Sequence, residues 1–227
     1  MKPKDYFLNI LSIENIYDPE PEFHQPFWDF SHRFQSLYRN WVLFKDFNKN
    51  HIDLLAQAEN VENEGAEYYD IHSEVAQVDI EFFPIHLRGS IISLSLSALE
   101  NLLNELAEEI AKVLDKPIEL DKRPLPFINK YLLWFTRNCE IEITINKQQN
   151  KKLDAIREVR NRFIHNLSRE IPENIKKIIR EMTKNLSNHE IVVTDEFVDQ
   201  SLKEISILVK NIELSYLDFY SELKNNR

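Results

Sequence analysis

REVRNRFIHN, residues 157–166, places arginine, asparagine and histidine side chains together in one short, otherwise apolar helical stretch. An imidazole with an ordinary pKa near 6.5 exchanges protons at neutral pH. A guanidinium presents a planar fork of donors to anionic oxygens. The same residues also suit a plain helix end. Asn166 can cap the C-terminus, His165 can sit at the negative end of the helix dipole, and Arg162 can pair with Glu158 one turn back.

The spacing separates these readings further. On a helix of 3.6 residues per turn, Leu153, Ile156, Phe163 and Leu167 form an apolar stripe with one gap, and Arg160 fills it. An arginine on a packing face needs a partner, a ligand or an exposed seam, because a buried unpaired guanidinium is very costly. His165 lies five residues further on, about 140° around the axis from Arg160, with Asn161 between them in angle and one turn below His165. The two groups converge only if the helix is irregular or if a second copy of the chain supplies half of the site. No metal centre is expected: the seven histidines (24, 32, 51, 72, 86, 165 and 189) are scattered.

The elements that must position this stretch are mostly helical. With only two glycines in 227 residues, Gly65 and Gly89, the chain has neither a P-loop nor a dinucleotide-binding fingerprint, and an all-β fold is disfavoured. Residues 1–25 read as an extended acidic arm with prolines. Phe27, Phe30, Phe34, Leu37, Trp41, Phe44 and Phe47 then recur at three- and four-residue intervals, the packing stripe of a helix. Residues 62–70 are polar and acidic, a connection or helix end. Residues 75–114 are the longest apolar region, which Pro84 and Gly89 are expected to kink or divide. From Ile91 on, Leu94, Leu96, Leu99, Leu102, Leu103, Leu106 and Ile110 cover so broad a face that the helix should be central in a bundle.

A proline-containing loop follows over residues 116–126, then a short aromatic helix over 127–137. Residues 140–146 (EIEITIN) and 189–194 (HEIVVT) have the alternation of short strands. The motif helix spans 151–167, another runs from Pro172 to about Leu186, and Asp195 should cap a final helix reaching about Leu223. The expected class is all-α, with at most one or two short strands. Residues 1–74 form an N-terminal extension whose aromatic helix packs on a main domain of residues 75–227.

Charge narrows the partners. The net charge is −10, which argues against a general nucleic-acid coat protein. It is unevenly spread: residues 147–184 hold eleven Lys and Arg against five acids, a local +6 set against −16 elsewhere. The basic segment is the one carrying the motif. One cysteine, Cys139, excludes an internal disulfide and fits a reducing compartment. The first residues lack the long apolar core of a signal peptide, and no window reaches the roughly 18 apolar residues of a membrane span. A cytoplasmic protein is expected.

With Arg160-Asn161-Arg162-Phe163-Ile164-His165, this stretch resembles the signature of the HEPN superfamily (higher eukaryotes and prokaryotes nucleotide-binding domains). Its ribonucleases carry an arginine, four to six residues and a histidine, with a polar residue after the arginine. The segment SLSALENLLNEL also resembles their earlier core helix, and the resemblance covers roughly residues 75–225. It implies a HEPN-like helical bundle and an RNA endonuclease that needs no metal or other cofactor, a toxin or antiviral defence effector acting on RNA such as tRNA.

In that resemblance His165 is the general base or acid and Arg160 holds the phosphate. Asn161 orients His165 or touches the phosphate, while Arg162 and Arg157 are supporting RNA contacts. It further implies a homodimer with two motifs facing one cleft lined by the basic segment, held in check or switched on by a protein partner. Glu100 is a candidate to pair with Arg160, and Asn104 one turn on is a second supporting residue. A non-catalytic dimerisation or regulatory module on the same fold is the alternative.

Overall fold

The computed structural model of the chain describes residues 24–59, 83–165, 171–183 and 193–225, with the side chains of residues 51–59 and of His165 outside that description. Six helices are described: α1 (Gln25–Glu59), α2 (Phe83–Leu114), α3 (Phe127–Cys139), α4 (Lys147–His165), α5 (Glu173–Met182) and α6 (Asp195–Asn225). The chain is all-α, and among the described residues there is no strand.

The aromatic stripe of α1 is its packing face. Phe27, Phe30, Phe34, Trp41 and Phe44 are buried, whereas Phe47, next in the spacing, is 61% exposed. Burying one such ring fully contributes about 1.5–3 kcal/mol, so five of them are enough to hold the helix to its neighbours. In α2 the residues Leu96, Leu99, Leu102, Leu103, Leu106 and Ile110 join the same continuous core, while Leu94 points outward. Of the kink or division expected at Pro84 and Gly89, the division does not occur: one helix runs from Phe83 to Leu114. Pro84 falls in the first turn, where a backbone N–H would have no intrahelical partner, so the missing donor costs nothing there.

Side-chain pairs give the helix directions. Near one end of the bundle the His24 ring lies 4.0 Å from Glu109, and the rings of Phe27 and Tyr216 are 5.4 Å apart. Near the other, Lys45 and Trp41 reach Asp199, and Phe44 meets Phe83 at 5.8 Å. Thus α1 runs antiparallel to both α2 and α6.

Two helices stop without glycine. Asp115 (φ 51°) follows α2 and Glu140 (φ 60°) follows α3, each in the left-handed region. The Lys116 N–H then reaches back to the Ala111 carbonyl, and the Ile141 N–H to that of Phe135, closing both helix ends. For the last helix the cap is Thr194, whose Oγ1 accepts the Phe197 N–H at 3.2 Å. Asp195, expected as the cap, stands one residue later in the first turn and takes the Arg88 Nε at 2.6 Å.

Residues 141–146 are neither helix nor strand, and among the described residues no strand pairs with them. Ile141, Ile143 and Ile145 face the core, and the carbonyls of Glu142 and Thr144 accept from Ser215 (2.7 Å) and Asn211 (2.9 Å) of α6. Most of the second strand-like patch lies outside the described residues, whereas the helix expected to reach Leu186 already ends at Met182, where Thr183 turns extended and its N–H closes on the Ile179 carbonyl.

Candidate functional site

Helix α4 is set against α2 on one side and α6 on another. Leu153, Ala155, Ile156 and Val159 are buried, and Lys152 Nζ meets Glu204 of α6 at 2.5 Å. Further along, the Phe163 ring lies directly on the backbone of α2 at Gly89. The exposed ring of His86, one turn earlier on α2, stands edge-on to Phe163 at 6.0 Å. Composition and spacing did not flag His86, because its place beside the motif depends on how α2 and α4 cross.

Arg160 occupies the gap in the stripe. Its side chain is 23% exposed, and its Nη1 stands 3.4 Å from Glu100 Oε1 on α2. That is a long bond for a charge-assisted pair, which closes to about 2.7–2.9 Å when well made. The Arg160 Nε–H is buried and has no acceptor. Arg157, one turn back, behaves similarly: its buried Nε lies 3.7 Å from Asp154, too far for a hydrogen bond, and its Nη2 lies 3.9 Å from Glu158. Both guanidiniums are therefore near carboxylates without being saturated by them.

Asn104 does not serve this site. Its amide nitrogen donates to Glu108 at 2.8 Å, and its oxygen accepts the Tyr131 hydroxyl at 2.8 Å. Burial, then the nearby Glu108 charge, push the Tyr131 phenol up, so it remains a donor to Asn104. The residue ties α2 to α3. Asn161 and Arg162 are half-buried on the last turns of α4. The side chain of His165, with Asn166 and Leu167, lies outside the described residues.

Backbone geometry still constrains the motif. The α-helix continues unbroken through position 165, so positions 160 and 165 stay about 140° apart around its axis. Arg160 is on the edge of the packed face. Position 165 falls within about 80° of arc with Lys147, Lys151 and Asn161, an arc that also takes in half-buried Asp154 and buried Glu158.

Among the described residues no group of three His, Cys, Asp or Glu side chains is placed to hold a metal ion. No described helix is long and apolar enough to cross a membrane. In comparisons with protein-family models, curated proteins and solved structures, nothing matches this chain.

Proposed function

We propose that the chain is a metal-independent RNA endonuclease of the HEPN type, a cytoplasmic toxin or defence effector that works as a homodimer and is controlled by a protein partner. The observation that carries this reading is Arg160: a largely buried guanidinium on a helix seam, with a free Nε–H and one long contact to Glu100. Such a group has donors left for a phosphate, and placing it in an apolar stripe makes sense if a polyanion completes its coordination.

In the reaction, His165 takes the proton of the 2′-hydroxyl, and that oxygen attacks the adjacent phosphorus. The bond from phosphorus to the 5′ oxygen breaks, and the departing oxygen takes a proton from water or from the second copy's histidine. The products are a 2′,3′-cyclic phosphate and a 5′-hydroxyl end. Arg160 stabilises the charge that builds on the non-bridging oxygens. Asn161 sits between the two in angle and orients one of them. The 140° separation is met by a site composed from two chains, Arg160 from one and His165 from the other.

End-labelled total RNA and tRNA, incubated in excess EDTA with wild type, Arg160→Ala and His165→Ala, test the reading. Cleavage by wild type, and by neither folded variant, is the expected result. Cleavage that persists in both variants sinks it.

The second reading, a non-catalytic helical dimerisation or regulatory module, is favoured by a specific contact. Glu100 of the same chain already neutralises Arg160 in part. A folded dimer that leaves every RNA intact, and keeps its mass when Arg160 is replaced, selects that reading.

A further inference from the structure

Eight of the eleven cations of the basic segment fall into two sets. Lys152, Arg157, Arg160 and Lys176 are engaged by carboxylates of the same chain. Lys147 and Lys151 on α4 and Lys177 and Arg180 on α5 are exposed. The first pair are four residues apart and the second three, so each pair shares one helix face. A bond from Gln148 Nε2 to Glu181 Oε2 (3.1 Å) joins the start of α4 to the end of α5, which brings all four to one end of the helical hairpin. Glu181, exposed among them, leaves the group net positive.

We propose that this end of the α4–α5 hairpin is a contact for the backbone of single-stranded RNA, separate from the residues that cut. The assignment rests on the RNA reading above and adds where the substrate is held. The exposed cations stand apart from the end of the motif: Lys151 precedes position 165 by fourteen residues, about 21 Å along the helix. Lys147 and Lys151 do share the side of α4 on which position 165 lies. Along that side the acids Asp154 and Glu158 would repel a phosphate chain, but Arg157 stands against both, at 3.7 and 3.9 Å. Arg157 therefore offsets one of the two negative charges on the path from Lys151 to position 165. In a chain of net charge −10, this localised positive end of the hairpin steers a polyanion to one face.

The test measures binding, not cleavage. In a full-length His165→Ala background, the affinity for a fluorescent 20-nucleotide single-stranded RNA is measured across a salt series. Lys147→Gln, Lys151→Gln, Lys177→Gln and Arg180→Gln are combined in one variant. A second combines Arg39→Gln, Lys49→Gln, Lys112→Gln and Lys203→Gln, exposed cations of α1, α2 and α6. Both sets change the net charge equally.

The expected result is at least tenfold weaker binding for the α4–α5 set only, with a salt slope smaller by up to about 3, as four lost phosphate contacts on a single strand predict. Equal weakening by both sets overturns the proposal in favour of net charge alone. Unchanged binding by the α4–α5 set overturns it while the RNA reading stands. A parent protein that binds no RNA at all removes both.

Discussion

The Phe163 ring lies on the backbone of α2 at Gly89, so closely that a Cβ at position 89 would stand 2.3 Å from Phe163 Cδ2. Gly89 is there for this approach and not for a turn, since its backbone is helical. Phe163 lies between Arg160 and His165, so the contact sets the depth of the motif's last turn. Gly89→Ala should add about 1 kcal/mol of helix propensity but cost about 1–3 kcal/mol in overpacking, a net loss reaching about 2 kcal/mol. Combined with Phe163→Leu, the same alanine should become neutral or stabilising. Urea denaturation of the two single variants and the double variant checks this; a strictly additive cycle contradicts the contact.

A second fastening joins α1 to α6. Trp41, fully buried, donates its indole N–H to Asp199 Oδ1 at 2.7 Å, and Lys45 meets both carboxylate oxygens at 2.9 Å. The ion pair is partly exposed, so it contributes at most about 1 kcal/mol, whereas an orphaned buried N–H costs about 1–3 kcal/mol. Asp199→Asn keeps an acceptor for Trp41 and should lose less than about 1 kcal/mol, while Asp199→Ala should lose about 1–3 kcal/mol. Equal losses for the two would mean that the charge, not the indole bond, matters.

Burial pushes the Cys139 thiol up to about 11, partly offset by Lys116. Between the ordinary thiol range and that value the folded chain keeps a proton that the unfolded chain has released. Stability therefore falls as pH rises from about 9 towards 11. Cys139→Ala should flatten that part of the stability profile, and the folded wild type should react far more slowly with a thiol reagent at pH 8 than the unfolded chain. Fast labelling of the folded protein would contradict the burial.

Where the sequence could be read, one residue's own helix decided the outcome. Phe27 to Phe44 and Leu96 to Ile110 repeat at helical spacing and are buried on that face. The exceptions depend on neighbours. Phe47 follows the spacing but lies beyond the stripe's buried part, and Leu94 faces outward because helix α2 is not covered on all sides.

EIEITIN alternates as a strand does, yet its outward carbonyls are taken by Asn211 and Ser215. These stand one helical turn apart, about 6 Å, close to the two-residue step of an extended chain. The pattern reports an extended chain with one buried face and is silent on what pairs with it. Similarly, the gap at Arg160 was legible within one helix. The use of Asn104 by Tyr131, and the place of His86, required knowing which helices touch.

For the homodimeric ribonuclease proposed above, the sharpest question is whether Arg160 and His165 act within one chain or across two. On an unbroken helix they stand about 140° apart, which favours sharing between copies. Arg160→Ala and His165→Ala homodimers should each be inactive. When they are mixed and allowed to exchange, a mixed dimer with shared sites carries both lesions in one site and leaves the other intact. Random pairing makes about half of the dimers mixed, each with one working site of two, so activity should return to about a quarter of wild type. If each chain builds its own site, no mixed dimer has an intact one, and activity stays at the level of the parents. Mass measurement of the mixture confirms that exchange occurred. A recovery near a quarter would put the arginine that stands beside Glu100 of one chain in the same site as the histidine of the other.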